Sequence, residues 1–461
     1  MTNLVSDVAV IGAGVVGTAV ARELAVRGCS VNIIEAKSDV GCGTSKANTA
    51  ILHTGFDATP GSLESRLVRR GHDLLLNYAT TGGIAVERTN ALMVAWNDEQ
   101  LAQFDVVVEK SLANGHHQIE RIDGQEVARL EPHLSNLACG GLVINGEFII
   151  DPWSVPIAFA REALGYGAVF TNKAEVLSVE VDREVTTLRT TAGPLRARFV
   201  VNAAGLAGAK VDEMFTGHRF TITPRRGELV VYDKLARKLV SHIILPVPQK
   251  HTKGVLVTPT VFGNLMVGPT ADDIDDPTAT GSTHDGVASV IAAAHRLVPA
   301  LQDEEITAVY AGLRAATETS DYRLFTDPTL RYVCLGGIRS TGLSASMALA
   351  EETCERLIAC GLNVGVPTEF GTRIRMPPLG ERQRRPADDG EACVCLCERV
   401  TASEVIGACA APIGATTLDG LRRRTRALNG KCQGFYCLAE VCALASQTTA
   451  IPSEQWLAGT S

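Results

Sequence analysis

At 461 residues, 46% of them hydrophobic, the chain is long enough for two or three domains with real cores. A net charge of −8 gives no sign of the strongly basic face that nucleic-acid binding demands. No stretch approaches the ~20 apolar residues of a membrane helix, and the N-terminus lacks a leader pattern. Thirteen cysteines suit a reducing compartment, where thiols bind metal or stay free. The expectation is a cytoplasmic protein, at most peripheral to the inner face of a membrane.

The first element is Asp7-Val-Ala-Val-Ile-Gly-Ala-Gly-Val-Val-Gly, a buried strand, a glycine turn and a helix through about Gly28. In that context Gly12 makes the turn, Gly14 lets a pyrophosphate approach the backbone, and Gly17 lets helix and strand pack closely. The helix N-terminus then faces the phosphates. Glu35 ends the next strand, Val31 to Ile34, where a carboxylate accepts from the ribose of an adenosine and disfavours a 2′-phosphate. Residues 61–80 carry Leu63, Leu67, Leu74 and Leu75 at near-helical spacing, which predicts a packing helix with His72 structural. Phe199-Val-Val-Asn-Ala-Ala-Gly is a buried strand ending in small residues, and Tyr332-Val-Cys-Leu-Gly-Gly-Ile-Arg-Ser-Thr-Gly runs from strand through glycines into a helix. A late glycine-to-helix turn sets amide N–H groups and a positive dipole end against an electron-rich ring, which a flavin needs and a nicotinamide does not. Residues 366–392, rich in Pro, Arg and Gly, read as a linker.

Beyond the linker stands the frame Cys395-x-Cys397-x34-Cys432-x4-Cys437. Residues two apart in an extended segment point to one side, so Cys395 and Cys397 can grip one centre together. A 2Fe-2S cluster is favoured; a four-thiolate zinc site, which usually takes wider pairs, and unliganded thiols are the alternatives. Arg422, Arg423, Arg424, Arg426 and Lys431 either stabilise an anionic cluster or form a solvated helix face. Cys409 and Cys442 read as small core residues and Cys393 as a spare thiol.

Residues 393 to about 445 resemble the bacterioferritin-associated-ferredoxin-like 2Fe-2S domain, in Val394-Cys-Leu-Cys-Glu-Arg-Val-Thr, Thr417-Leu-Asp-Gly-Leu-Arg-Arg-Arg and Gly430-Lys-Cys-Gln-Gly-Phe-Tyr-Cys. The resemblance implies that Cys395, Cys397, Cys432 and Cys437 are the ligands. Residues 5–365 resemble the D-amino-acid-oxidase-like superfamily of FAD enzymes. Within it they are most similar to glycerol-3-phosphate oxidases and dehydrogenases and their L-2-hydroxyglutarate relatives. The residues that carry this are Gly43-Thr-Ser-Lys-Ala-Asn-Thr-Ala-Ile-Leu-His-Thr-Gly-Phe-Asp, Thr223-Pro-Arg-Arg-Gly-Glu, Lys253-Gly-Val-Leu-Val-Thr-Pro and Tyr310-Ala-Gly-Leu-Arg. The implied architecture is α/β: a Rossmann-like FAD domain (about 5–80, 140–215 and 325–365) interleaved with a mainly antiparallel substrate domain (about 81–139 and 216–324), then a small helical 2Fe-2S domain over 393–461.

Oxidising a secondary alcohol takes a hydride to the flavin while a base takes the hydroxyl proton. His53, with an ordinary imidazole usable near neutral pH, is the candidate base, in line with the resemblance. An anionic substrate tail needs cations; Lys253 and Arg314 match family positions facing the substrate, Ser340 lies in the late glycine turn, and one of Arg225 and Arg226 faces inward on its strand. The resemblance further implies cofactor contacts at Thr44, Ser45, Thr49, Gly205, Gly337, Thr341 and Gly342. Together these imply dehydrogenation of sn-glycerol 3-phosphate, with electrons leaving through FAD and the cluster to a second flavoprotein subunit or another acceptor. A 2-hydroxy-acid dehydrogenase, an amine- or opine-oxidising subunit and a non-enzymatic electron-transfer module are the alternatives.

Overall fold

The computed structural model describes residues 5–248, 254–367, 374–380 and 391–458. Its first sheet places Val169–Thr171, Val31–Ile34, Val5–Ile11, Gly193–Asn202 and Tyr332–Gly336 side by side and parallel. Arg323–Asp327 adds an antiparallel edge, and the hairpin Val176–Val181/Thr186–Thr190 continues along the first half of Gly193–Asn202. The apolar runs that predicted the central strands are buried on both faces, with Val8, Val10, Ile33, Val201 and Val333 inaccessible to solvent. Helices Val15–Val26, Ser154–Gly165 and Gly342–Ala359 cover this sheet, and Leu63–Gly82 packs on the last of them. The helix predicted over 61–80 is therefore present; Ser62 caps it by accepting the Ser65 N–H, and Gly83 ends it at φ 73°. His72 is structural, with Nε2 2.9 Å from the Gly146 carbonyl.

The second body is a nine-stranded sheet in the order Asp272–Asp273, Thr223–Tyr232, Leu265–Gly268, Leu256–Pro259, Ile243–Pro246, Ala91–Ala95, Gly140–Ile144, Ile119–Asp123, with Ile306–Ala316 also paired to Thr223–Tyr232. Its pairings are antiparallel except that between Ile243–Pro246 and Ala91–Ala95. The expected return to the FAD domain at residue 140 comes too early, because Gly140–Ile144 belongs to this sheet. After a turn, Phe148–Ile150 pairs instead with Ile51–Leu52 and Val86–Arg88. The apolar run over 140–150 hides two strands of different sheets, which hydrophobicity alone does not separate.

The C-terminal module holds helices Ala402–Ala410, Leu418–Thr425, Leu438–Thr449 and Ser453–Ala458 around Val405, Leu421, Val441 and Trp456. Thr401 and Glu404 form a reciprocal cap at its first helix. Cys409 and Cys442 lie in this core, as expected. Within the expected linker, residues 374–380 lie on the main body. Met376 N–H donates to the Gly82 carbonyl at 2.8 Å, and Met376 and Leu379 are buried.

Arg423, Arg424 and Arg426 are buried and committed to carboxylates instead of a solvated face, while the exposed Lys431 lies within electrostatic reach of Cys397. Helix Leu418–Thr425 turns Arg423 and Arg424 into the main body, where both guanidinium groups grip the buried Asp39 at 2.6–2.7 Å. Arg426 donates to buried Glu398 at 2.7 Å and lies 4.0 Å over the Phe262 ring, and Lys431 pairs with Glu305. An isolated acid inside a fold must find cations, and Asp39 finds them here.

Burial alone would raise the carboxyls of Asp39 and Glu398, but Arg424 with Arg423, and Arg426, hold them below their ordinary values of 3.8 and 4.5. A depressed carboxyl stabilises the fold in full above its unfolded value, and that stability is lost as pH falls through the folded value. Docking of the module is therefore expected to weaken progressively below about pH 4. Emission from the fully buried Trp456 and denaturant midpoints against pH check this, and a midpoint unchanged down to pH 3 contradicts it.

Candidate active site

The dinucleotide turn follows from backbone geometry. Gly12 takes φ +102°, and a Cβ there would lie 2.5 Å from the Ala203 carbonyl oxygen. A Cβ on Gly17 would lie 1.9 Å from the Gly12 oxygen, so neither position accepts a side chain. Helix Val15–Val26 starts from Gly14 without a side-chain cap on that residue, leaving a positive N-terminus at the turn. Glu35 accepts the Ala13 N–H through Oε2 and the Lys37 N–H through Oε1, both at 2.8 Å. Each oxygen keeps a lone pair for a ribose hydroxyl. Cradle, helix end and acid together fit the adenosine diphosphate half of FAD.

The following loop is tied to this turn and to the second sheet. Ser45 Oγ accepts the Val15 N–H at 2.9 Å, which puts it at the phosphate end of the helix. Thr44 donates to the Leu313 carbonyl at 2.7 Å, so its hydroxyl fastens the loop to a substrate-domain strand. Thr49 is half-buried further along the loop, and Gly205 opens a short 3-10 turn at the end of strand Gly193–Asn202.

His53 lies between two carboxylates. Its Nδ1 is 3.2 Å from Glu147 Oε1 and its Nε2 is 3.4 Å from Asp57 Oδ1. The Gly55 N–H also lies 3.0 Å from Nδ1, and a proton on Nδ1 is shared with Glu147. Phe56 stacks on the ring at 5.4 Å, and Ser344 Oγ, in the first turn of helix Gly342–Ala359, accepts the His53 N–H at 2.8 Å. Glu147 is 1% exposed; burial would raise its carboxyl, but His53 and the two Thr54 hydrogen bonds hold it below the usual range. It stays ionised beside the imidazole. Glu147 and Ser344 escape sequence reasoning; the one local signal for Glu147 is an acid standing alone in the turn between two apolar strands.

Arg314 lies across the strand pair from Arg225, so the two share one face. Arg225 is committed to Asp273 through two hydrogen bonds of 2.6 and 2.9 Å. Arg314 donates through Nη2 to the Thr270 carbonyl at 2.6 Å, while its buried Nε has no hydrogen-bond partner among the described residues. Burial, then the neighbouring Arg225 and Arg339, push its guanidinium down to about 10, so it remains a cation at neutral pH. Arg339 approaches Glu64 at 3.7 Å and donates to the Ser320 carbonyl; Ser340 beside it is exposed. Thr341 spends its hydroxyl on Glu64 (2.7 Å) and Tyr322 (2.6 Å). The helix after Gly342 begins with no side-chain cap, and Gly337 takes φ +65° in the turn before it. Lys253 lies outside the described residues.

The four framed cysteines come together. The Cys395 and Cys437 side chains touch, as do those of Cys397 and Cys432. None of the 13 cysteines forms a disulfide. Backbone N–H groups of Tyr436, Gly434 and Phe435 point at the Cys432 sulfur and lower its thiol, whereas burial and the Cys395 sulfur push Cys437 up to about 12. No three His, Cys, Asp or Glu side chains among the described residues converge as on a single ion. Two touching pairs fit a two-iron unit, with two thiolates for each iron and N–H groups on the sulfurs.

A dinucleotide cradle, a carboxylate-bracketed histidine and a late glycine turn whose helix binds that histidine's backbone are the parts of a flavin-dependent oxidoreductase. The family model for FAD dependent oxidoreductases (DAO) matches residues 7–356, and the chain belongs to that family, with FAD as its cofactor. It is 33% identical over 444 residues to a glycerol 3-phosphate dehydrogenase of Caloramator mitchellensis, covering 94% of this chain and 92% of the relative. That span is too long to omit the C-terminal module. A glycerol 3-phosphate oxidase of Mycoplasma pneumoniae is 30% identical over 76% of this chain and 94% of its own. The solved L-alpha-glycerophosphate oxidase from Mycoplasma pneumoniae with FAD bound superimposes with a TM-score of 0.74 at 27% identity, covering 80% of this chain and 98% of that one. No helix among the described residues is long and apolar enough to cross a membrane.

Proposed function

We propose that the protein is an FAD-dependent dehydrogenase of sn-glycerol 3-phosphate, yielding dihydroxyacetone phosphate and passing electrons through a 2Fe-2S cluster to a separate acceptor. The observation that carries the alcohol chemistry is His53 held between Asp57 and the ionised Glu147. Bound FAD supplies the hydride acceptor. With its proton on Nδ1 toward Glu147, the imidazole has Nε2 as the nitrogen that takes the hydroxyl proton, and Glu147 and Asp57 stabilise the imidazolium that results. Arg314 offers the buried Nε–H to the anionic end of the substrate, with Lys253 as its expected companion. The full-length match to a relative named for glycerol 3-phosphate supports this substrate.

Cys395, Cys397, Cys432 and Cys437 would hold the cluster. A one-electron carrier after a two-electron flavin favours electrons leaving singly for a protein or quinone over direct delivery to oxygen. A second flavoprotein subunit is the proposed acceptor, on the cytoplasmic side. Acid-labile sulfide and iron on the purified chain test the cluster. Two irons and two sulfides per chain are expected, falling toward zero in Cys432→Ser. Zinc without sulfide refutes the cluster and leaves the alcohol chemistry standing.

A further inference from the structure

The C-terminal module reaches the dinucleotide turn through a short chain of buried polar contacts. Asp39, 2% exposed, accepts from Arg423 Nη2 at 2.7 Å and from Arg424 Nη1 and Nη2 at 2.6 and 2.7 Å. Arg423 Nη1 also donates to the Val40 carbonyl at 2.5 Å. The next residue, Gly41, donates its N–H to the carbonyl of Ala13, the central residue of the glycine turn, at 2.9 Å. Four residues on, Ser45 Oγ accepts the Val15 N–H in the first turn of the helix behind it. The exposed pair Lys46–Asp419 (3.3 Å) adds little by itself. The buried triad is different in kind: two guanidinium groups and one carboxylate, out of water, are tolerable only in their mutual geometry, so the position of Asp39 is dictated by the module.

We propose that Arg423 and Arg424 are positioning residues for FAD. By fixing Asp39 and Val40, the docked C-terminal module holds the 39–45 loop against the glycine turn, and retention of FAD depends on that docking. The dependence is reciprocal: FAD on the turn tightens the module by the same factor. None of this requires that the cysteines carry iron. A family member can thus gain an appended domain and come to rely on it for holding a cofactor bound elsewhere.

The test is release of FAD from the full-length holoprotein, followed by the rise of flavin fluorescence on dilution. Arg424→Lys keeps the charge but loses the fork on Asp39, and Asp39→Asn removes the counter-charge. Arg189→Ala, which breaks an exposed pair with Glu180, is the control. Losing a charge-assisted hydrogen bond predicts release about tenfold faster or more in both test variants and unchanged in the control. Turnover lost on dilution returns when FAD is added. Should Asp39→Asn fail to fold, Arg424→Lys decides. Release within about twofold of the parent rate in a folded variant overturns the proposal, as does lost turnover that added FAD does not restore.

Discussion

Replacing His53 with asparagine is expected to slow flavin reduction by about a hundred- to ten-thousand-fold while FAD stays bound, the usual contribution of a positioned general base. FAD retention follows because the cradle lies elsewhere, at Gly12, Gly17 and Glu35. Rapid mixing with substrate under anaerobic conditions reads the rate directly. The companion Glu147→Gln separates a base from a structural ring. Glu147 and His53 stabilise each other's charged forms, so removing the carboxylate lets the imidazole shed its proton at lower pH. The acid limb of kcat/KM then moves to lower pH. An asparagine variant that reduces its flavin at the parent rate removes His53 from the chemistry.

Arg314→Met carries the second large effect. The side chain already donates to the Thr270 carbonyl, and its Nε has no hydrogen-bond partner among the described residues, so a substrate anion would supply the missing acceptor. Hydrogen bonds to charged groups are worth about 1.5–3 kcal/mol, so kcat/KM is expected to fall roughly tenfold to a hundredfold, chiefly through KM. Steady-state kinetics against glycerol 3-phosphate check this. An unchanged KM assigns Arg314 to the strand pair instead of the substrate. Arg225 is the internal comparison: it shares the face but is already held by Asp273, so Arg225→Met should move KM far less.

What could be read from the sequence was local. Gly12, Gly14, Gly17 and Glu35 sit within one strand-turn-helix-strand unit, where spacing alone fixes the geometry. His53 was legible through its neighbours in the 43–57 stretch. Glu147 was not, because it lies 93 residues from Thr54 in the chain and reaches it only when two strands pair. The arginine run shows the opposite failure. Its charge was obvious, but the partner of Arg423 and Arg424 is Asp39, some 384 residues away, which neither a cluster nor a solvated helix face anticipates. The strand Gly140–Ile144 was placed in the wrong body for a related reason, since apolar alternation does not say which sheet a strand joins.

A single anaerobic addition of sn-glycerol 3-phosphate to the purified holoprotein, watched by flavin absorbance and then by electron paramagnetic resonance, tests the central claim most directly. Loss of the oxidised flavin band followed by the signal of a reduced two-iron cluster is the predicted result. A flavin that stays oxidised, or that bleaches with L-2-hydroxyglutarate and not with glycerol 3-phosphate, contradicts the substrate; bleaching with no paramagnetic iron signal contradicts the route.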